Sequence, residues 1–376
     1  MHLAFVSQID ARDVRSWSGT PHHMVSALRQ HVDRLTLVTP LPEQGRLRSR
    51  VQKARHFVRG KTFRHEHTEP VARGYAQAAA AQLRQLRPDA ILAPSSLPVA
   101  YLETEAPVGF WTDATFESNL LFYPEYSALP PENVLSGHRI EQAALDRATA
   151  FYASAYAARS AIDYYGALPD RVHVVPFGAN LEKEPSAEEV EAAIESRPFD
   201  RCQLLFLGVA WDRKGGDVAV RVADALNASG LPTELVVAGT PPVLERPRPY
   251  VRAAGFLDKR TAAGRDALSR LLASSHFLIL PGRVEAFGCV FSEASAYGVP
   301  SLGTAVGGVP TAVEDGVNGI VFPARPSPVA IAERIRELLG HPERYRALAR
   351  SSRARYEREL NWTAAARVVV EHLAAR

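Results

Sequence analysis

Short runs of hydrophobic residues alternate with amphipathic stretches of helix length along the whole chain. The runs are rich in Val, Leu, Ile and Phe, which is typical of strands buried in a parallel sheet. Strands that alternate with helices predict parallel sheets with helices on both faces. The predicted strands are 3–6, 35–39, 90–93, 108–111, 150–153 and 172–175 in the first half, and 204–208, 234–239, 277–281, 300–303 and 319–322 in the second.

The strand pattern is interrupted at residues 176–198, where charged residues and proline take over. A chain of 376 residues is also long for one compact domain, and two domains of about 150–200 residues are the natural division. We therefore predict an α/β protein with two doubly wound, Rossmann-like domains facing each other across a cleft. Ligands are expected at the carboxyl ends of the strands and in that cleft.

Composition and charge narrow the classes of partner. Hydrophobic residues make up 46% of the chain and charged residues 23%, which are ordinary values for a globular protein with two cores. A net charge of +3 is too weak to indicate a nucleic acid. Cys202 and Cys289 are the only cysteines, which favours a reducing compartment over a disulfide framework. Because the chain starts directly with a strand pattern and has no long apolar run, we expect a cytoplasmic protein.

Residues 46–64 form a basic stretch with eight Lys or Arg and no acid. Its apolar residues recur at spacings of four, three and four, which predicts one face of a helix: Leu47, Val51, Ala54 and Val58. A basic amphipathic helix can lie on an anionic membrane, which would make the protein peripheral at the inner membrane face. Alternatively, the apolar stripe packs on its own domain and the basic face is solvated. Binding of an acidic acceptor is a further possibility.

Residues 281–323 hold two glutamates in a glycine-rich setting. Glu285 follows a predicted strand end at Pro281, and Glu293 lies eight residues later on a helical stretch that starts after Gly288. The two carboxylates could be up to roughly 12 Å apart along a helix axis. That span suits a ligand with hydroxyls at both ends and an anionic middle, which the helix N-terminus would attract.

A second anion-binding pattern lies at residues 206–216, FLGVAWDRKGG. Gly208 follows a predicted strand, and Arg213 and Lys214 precede a helix, so the two cations are a candidate pyrophosphate clamp; a charged surface turn is the alternative. The order of residues is not that of a P-loop, and no G-x-G-x-x-G fingerprint occurs. Because D-x-D, C-x-x-C and H-x-x-x-H patterns are also absent from the sequence, we predict no metal site.

The first half offers fewer candidates. Gly19 lies at the first strand–helix turn, where it would permit close approach of a ligand or serve as an ordinary turn glycine. Asp113 follows a predicted strand, as an acceptor-orienting residue or as a helix cap. His138 is expected at the surface. Five aromatic residues are candidates for an apolar acceptor pocket, although most are expected in the core: Trp111, Phe116, Phe122, Tyr123 and Tyr126.

With these motifs in order, the chain resembles the retaining glycosyltransferases of family four, which have the two-domain GT-B fold. The resemblance covers residues 148–376 well and the first half in outline. It implies an N-terminal acceptor-side domain (1–178), a C-terminal nucleotide-sugar domain (179–355) and a final helical segment (356–376) that returns to the first domain. The motifs that carry it are 172–180, 206–216, 236–239, 285–293, 307–310, 315–323 and 361–373.

The resemblance also implies roles for residues. Glu285 would contact the donor sugar, Glu293 the ribose hydroxyls, and Lys214 with Arg213 the leaving pyrophosphate. Backbone groups at Phe287, Gly288 and Cys289 would contact sugar and phosphate. The remaining donor contacts would come from Gly208 at the phosphate motif, from the segment Gly255, Phe256 and Leu257 beside the nucleobase, and from Gly19 in the first domain.

Two departures from the family pattern stand out. Val209 follows Gly208 where many members have arginine, and Asp113 occupies the position of a frequent histidine. We expect a metal-independent, retaining transferase that reacts by front-face substitution and needs no cofactor besides its UDP- or GDP-type sugar co-substrate. The sequence does not identify the acceptor, which we expect to be a glycan, a lipid-linked sugar or a small molecule in cell-envelope or secondary-metabolite glycosylation. The alternatives are a nucleotide-sugar epimerase on the same fold and a non-catalytic nucleotide-sugar-binding protein.

Overall fold

A computed structural model describes residues 1–42, 46–58 and 60–375, with side chains for all of these except 46–51. It divides into two compact units. Unit 1 comprises Met1–Pro176 together with Trp362–Arg376, and unit 2 comprises Phe177–Asn361. The division between the units falls where the strand pattern of the sequence gives way to charge and proline.

Unit 1 is built on a parallel sheet of six strands in the order β2-β1-β3-β4-β5-β6. Its central strands are fully buried because helices cover both faces. The six strands predicted for the first half are confirmed. Their bounds are β1 His2–Val6, β2 Arg34–Val38, β3 Ala90–Ala93, β4 Val108–Thr112, β5 Thr149–Tyr152 and β6 Val172–Val174.

The helices of unit 1 include one from the C-terminal end of the chain. The rings of Trp111 and Trp362 lie 5.3 Å apart in an edge-to-face arrangement, so the last helix packs against the sheet of unit 1. The helices are α1 Thr20–Leu28, α2 Arg46–Phe57, α3 Glu69–Leu86, α4 Phe116–Phe122, α5 Pro124–Ser127, α6 Pro131–Leu145, α7 Ala155–Asp163 and α15 Trp362–Ala374.

Unit 2 contains a second parallel sheet of six strands in the order β12-β11-β10-β7-β8-β9. Five of these strands were predicted. The sixth, β9, was missed because VRAAG has neither a run of apolar residues nor alternation, and it lies at the sheet edge. The strands are β7 Cys202–Leu207, β8 Thr233–Ala238, β9 Val251–Gly255, β10 Phe277–Leu280, β11 Ser301–Thr304 and β12 Gly319–Phe322.

Helices cover the sheet of unit 2 in the same way. The last helix of this unit extends past residue 356, where the predicted C-terminal segment begins. Residues 356–358 belong to that long helix, α14. The helices are α8 Ala187–Ser196, α9 Gly216–Ala228, α10 Ala262–Ser274, α11 Cys289–Ala296, α12 Val309–Ala312, α13 Pro328–Leu339 and α14 Pro342–Arg358.

The basic helix α2 does not bury the stripe that its sequence suggested, as far as its side chains are described. Ala54 is exposed and Val58 is 86% exposed, whereas His56 is buried and stacks on Phe63 with ring centroids 5.1 Å apart. The interpretation that the stripe packs on its own domain is therefore wrong for Ala54 and Val58. The side chains of Leu47 and Val51 lie outside the described residues.

Candidate active site

The phosphate motif of unit 2 folds as a turn between β7 and α9. Lys214 is buried at the end of this turn, and Arg213 is half-buried beside it. Gly208 opens the turn, and Val209, which replaces the arginine of many family members, points into solvent and is 69% exposed. The two cations precede α9, as the sequence predicted. Their side chains are buried or half-buried, so they do not form a solvated surface turn.

Both cations meet Glu285, which lies in the loop after β10. The Nζ of Lys214 donates to Oε2 of Glu285 at 2.8 Å, and an Nη of Arg213 donates to the same oxygen at 3.2 Å. Burial alone would raise the pKa of Glu285, but the attraction of Lys214 and then of Arg213 outweighs it and holds this pKa below its usual range. Glu285 is thus a buried, ionised carboxylate between two cations.

Gly208 makes this arrangement possible because its lack of a side chain lets Lys214 pass close to the backbone. A Cβ atom at position 208 would lie 2.4 Å from Cδ and 2.8 Å from Cε of Lys214. The stem of Lys214 therefore runs directly over the backbone of Gly208 on its way to Glu285. Any larger residue at 208 would have to displace the ammonium.

The helix predicted between the two glutamates is α11, and Gly288 is its N-cap with φ +86°. An L-residue rarely adopts this left-handed conformation, so glycine suits the tight entry into the helix. The Phe287 side chain is buried against Phe177, with ring centroids 5.7 Å apart, so its side chain belongs to the core. Only the backbone of Phe287 is therefore available to a ligand. Cys289 is half-buried at the first position of α11, which is the positive end of the helix dipole.

Glu293 lies in α11 and is held by a residue that sequence reasoning missed. The Nζ of Lys259 donates to Oε1 of Glu293 at 2.7 Å and to the carbonyl oxygen of Asn180 at 3.2 Å. Within the described part of the chain, Oε2 of Glu293 is buried and has no hydrogen-bond partner. A buried carboxylate oxygen without a partner is unfavourable, and it is suited to accept from a hydroxyl group.

The predicted nucleobase segment leads from the end of β9 toward Lys259. Gly255 is the last residue of that strand, Leu257 is half-buried, and Phe256 is 71% exposed. The exposed ring of Phe256 has the size and flatness to lie against a base. Because Lys259 is only two residues beyond Leu257, this segment and Glu293 belong to one part of unit 2.

Unit 1 holds its own cavity, of about 730 Å³, at the carboxyl ends of β1, β3 and β4. Ligands of open parallel sheets usually bind at the carboxyl ends of the strands. Asp113 lines this cavity, and so do Phe116, Tyr123 and Tyr126 of the predicted aromatic set. The other two members, Trp111 and Phe122, are buried instead and pack with other rings.

Asp113 is not the cap of the helix that follows it. The N-cap of α4 is Thr115, whose Oγ1 accepts from the backbone N–H of Ser118 at 3.1 Å. The helix-cap interpretation of Asp113 is therefore wrong. Gly19 is the N-cap of α1, with φ +85°, in the turn after β1, and the neighbouring Trp17 lines the cavity.

A buried acid at the cavity was also missed from the sequence. Glu141 of α6 accepts from the hydroxyl of Ser96 at 2.6 Å and from that of Tyr152 at 3.1 Å. Burial raises its pKa to about 7. In the sequence Glu141 is one polar position among others in a helix, and its partners lie on separate elements, so no local signal could have marked it.

His138 is less exposed than expected from the sequence. Its Nδ1 lies 2.8 Å from the hydroxyl of Tyr165, its ring packs edge-to-face on Phe116, and burial lowers its pKa. His138 is therefore half-buried, where the sequence predicted a surface residue. Among the residues that the structure describes, no group of three or more His, Cys, Asp or Glu side chains could hold a metal ion. The described helices also include none with the length and hydrophobicity to span a bilayer.

Comparison with known proteins finds a family that most of unit 2 matches. Residues 188–355 match the family described as Glycosyl transferases group 1. D-inositol 3-phosphate glycosyltransferase 1 from Catenulispora acidiphila is 32% identical over 243 residues, which cover 61% of this chain and 57% of that protein. The enzyme of the same description from Salinispora tropica is 33% identical over 54% of this chain and 45% of its own length. The chain thus matches about half the length of these relatives.

Solved structures resemble the chain over nearly its whole length. HepE from Anabaena in complex with UDP-glucose superposes with a TM-score of 0.63 at 15% identity and covers 100% of both chains. A glycosyltransferase from Rickettsia africae superposes with a TM-score of 0.65 at 15% identity, over 99% of this chain and 97% of its own. This likeness confirms the predicted fold class, GT-B with two Rossmann-like α/β units. Residues 188–355 of this GT-B chain thus match the family described as Glycosyl transferases group 1.

Proposed function

We propose that the protein is a retaining glycosyltransferase that moves a sugar from a UDP- or GDP-type sugar to an acceptor. The observation that carries this proposal is the buried cluster of Lys214, Arg213 and Glu285 beside the N-terminus of α11. Two cations and a helix dipole form a site for a diphosphate, and a carboxylate at the same place can bind sugar hydroxyls. The complex of the structural neighbour HepE with UDP-glucose supports a donor of this class.

The donor would lie along unit 2 with its sugar at Glu285 and its ribose at Glu293. Because Lys259 already occupies Oε1 of Glu293, the ribose hydroxyls would be accepted mainly by the unpartnered Oε2. The backbone at Phe287, Gly288 and Cys289 would meet sugar and phosphate, and Gly255, Phe256 and Leu257 would border the base. The donor contact of Gly19 stays a prediction from the family resemblance.

Front-face substitution is the mechanism that these residues support. The acceptor oxygen forms a bond to the anomeric carbon, the bond from that carbon to the diphosphate breaks, and the leaving phosphate oxygen takes the acceptor's proton. Lys214 and Arg213 stabilise the charge that develops on the diphosphate. Double displacement would need two carboxyl groups about 5–5.5 Å apart around the anomeric carbon. Glu293, paired with Lys259, serves the ribose in this proposal and leaves Glu285 without a second carboxyl group.

The acceptor would bind in the cavity of unit 1, where Asp113 orients the attacking hydroxyl. The two cations of unit 2 would do the electrostatic work that a metal does elsewhere, and the nucleotide sugar would be a co-substrate, with no separate cofactor. We also propose a cytoplasmic location with weak peripheral membrane contact through residues 46–64, because Phe57 and Val58 are exposed at the end of the basic helix.

Two other functions use the same fold. An epimerase would convert the nucleotide sugar without an acceptor, and a non-catalytic binder would leave it intact. Thermal-shift measurements against a panel of UDP- and GDP-sugars, followed by product detection with the donor that binds, separate the three. We expect stabilisation by one nucleotide class and slow donor hydrolysis even without acceptor. An epimerised free nucleotide sugar would establish the epimerase, and binding without turnover would establish the binder.

A further inference from the structure

The cavity of unit 1 is lined by carboxyl groups and aromatic rings, and we infer that it takes an acceptor whose hydroxylated ring carries a protonated amine. This inference rests on the proposed function, because it names the acceptor class of that reaction. It concerns the ligand of unit 1 alone, so it can be tested without turnover. Four features of the cavity carry it.

The first feature is the balance of charge. Among the described residues that line the cavity, one is a permanent cation, Arg64. Four carboxyl groups line the same space: Glu66, Asp113, Glu125 and Glu141. Such a surface favours a ligand with positive charge and disfavours a phosphate.

The second feature is that Arg64 is already engaged. Its Nε lies 3.1 Å from Oε1 of Glu66, and its guanidinium carbon lies 4.4 Å above the centre of the Tyr126 ring. Its charge is therefore balanced by a carboxylate, and one face is covered by an aromatic ring. The neighbouring His67 adds no positive charge near neutral pH, because burial lowers its pKa to about 4.

The third feature is the set of aromatic rings. Trp17, Phe116 and Tyr123 line the cavity together with Tyr126. Aromatic faces attract ammonium groups, and they also pack against the apolar C–H faces of a sugar or cyclitol ring. Rings and carboxylates together suit a hydroxylated ring with an amine better than either would alone.

The fourth feature is Glu141 at the buried end. Its two oxygens accept from Ser96 and Tyr152, so the site is built to hold this carboxyl group in one orientation. With a pKa of about 7, it can lose its proton when a cation arrives nearby. The cavity can therefore gain negative charge in response to an amine. A phosphate on the ring would instead favour the protonated form of Glu141. The names of the matched D-inositol 3-phosphate glycosyltransferases mention such a phosphate for those proteins.

Binding to the full chain tests the inference with two matched sets of ligands. One set is glucosamine, N-acetylglucosamine and glucose 6-phosphate, and the other is inosamine, myo-inositol and inositol 3-phosphate. Isothermal titration should show that the amine of at least one set binds about tenfold more tightly than its neutral and phosphorylated counterparts. The N-acetyl and hydroxyl compounds keep the ring and remove the charge.

Variants locate the preference in the cavity. Asp113→Asn and Glu125→Gln should each weaken binding of the amine at least about fivefold, while Glu103→Gln, an exposed acid outside the cavity lining, should leave it unchanged. Thermal melting of each variant reports whether the fold is kept. Equal binding within both sets, tighter binding of a phosphate, or failure of both amines to bind would overturn the inference.

The same protein samples keep this result separate from the proposed function. Donor binding and hydrolysis depend on unit 2 and are measured with the UDP- or GDP-sugar alone. Turnover without an amine preference would overturn the acceptor class and leave the transferase proposal standing. An amine preference without donor binding or turnover would overturn the transferase proposal instead.

Discussion

Lys214 and Glu285 are 71 residues apart in sequence, and a 2.8 Å hydrogen bond joins them in unit 2. Their pairing follows from the sheet, because β7 and β10 are parallel neighbours and each residue lies in the loop after one of these strands. Since the carboxyl ends of parallel strands meet at one edge, the fold itself brings the cation to the carboxylate. The proposed reaction depends on this pair.

Gly208→Ala tests whether the path of Lys214 matters. The added Cβ would lie 2.4 Å from Cδ of Lys214, and the flexible lysine would move away while the fold is kept. We expect donor turnover to fall by about tenfold to a hundredfold, as small displacements of catalytic groups do. Steady-state kinetics on the purified variant measures the effect.

The control for this prediction is a double-mutant cycle with Lys214→Met. If Gly208→Ala acts by displacing the ammonium, it should cost little further activity once Lys214 is gone. Additive losses in the double variant would show that Gly208 acts in another way.

Lys259→Met tests the support of Glu293. Without Lys259, the buried Glu293 carboxylate loses the cation that donates to its Oε1 and is held less well in place to accept from ribose hydroxyls. We expect the Kd of the donor nucleotide to rise about tenfold, measured by titration calorimetry. Lys183→Met, at an exposed lysine in the same unit, is the matched control. An unchanged affinity for the nucleotide in Lys259→Met would contradict the assignment.

Glu141 predicts a pH dependence of stability. Its pKa of about 7 in the folded protein lies above its usual value of 4.5, so the folded state holds the proton more tightly than the unfolded state. The free energy of unfolding should therefore fall as pH rises from about 4.5 to 7, by about 3 kcal/mol for this group. Urea unfolding at pH 5, 6, 7 and 8 should show this slope in the difference between the natural protein and Glu141→Gln.

Glu141→Gln should lose the same slope, because an amide resembles the protonated acid and does not titrate. The pKa values of His67 and His276, which burial lowers from 6.5 to about 4, add an opposite rise in stability between about pH 4 and 6.5, but this contribution is common to both proteins and cancels in their difference. Identical pH profiles for the variant and the natural protein would show that Glu141 does not titrate between pH 5 and 8.

The sequence predicted some parts of this protein well and others not at all. Short apolar runs, such as the four residues AILA at β3 and FLIL at β10, indicate a buried strand locally. The edge strand β9 carries no such run, since its residues are mostly exposed. The positions of Glu285 and Lys214 were predicted from turns at strand ends, but their direct contact depends on the order of strands in the sheet.

Residues that act through long-range contacts escaped sequence reasoning. Lys259 is 34 residues from Glu293, and Glu141 meets Ser96 and Tyr152 from two other elements. Neither has a local pattern that distinguishes it from a surface charge. The basic helix shows the opposite error, because periodicity alone suggested a buried stripe at Ala54 and Val58 that tertiary packing does not bury.

Membrane contact can be tested at the exposed end of α2. Phe57 and Val58 are 81% and 86% exposed beside basic residues, and this combination favours an anionic bilayer surface. We expect salt-sensitive co-sedimentation with vesicles of mixed neutral and anionic phospholipid, reduced roughly fivefold in Phe57→Ser with Val58→Ser. Vesicles of neutral lipid alone are the control. No sedimentation of the natural protein at low salt would contradict membrane contact.

The most direct measurement compares donor turnover and nucleoside diphosphate binding in the natural protein and in Glu285→Gln. The amide removes the negative charge at the sugar position but leaves Lys214 and Arg213 available to the diphosphate. We predict that turnover falls by at least about a hundredfold in Glu285→Gln, while this variant binds nucleoside diphosphate as tightly as the natural protein or more tightly. Turnover close to that of the natural protein would contradict the role of Glu285 and with it the proposed active site.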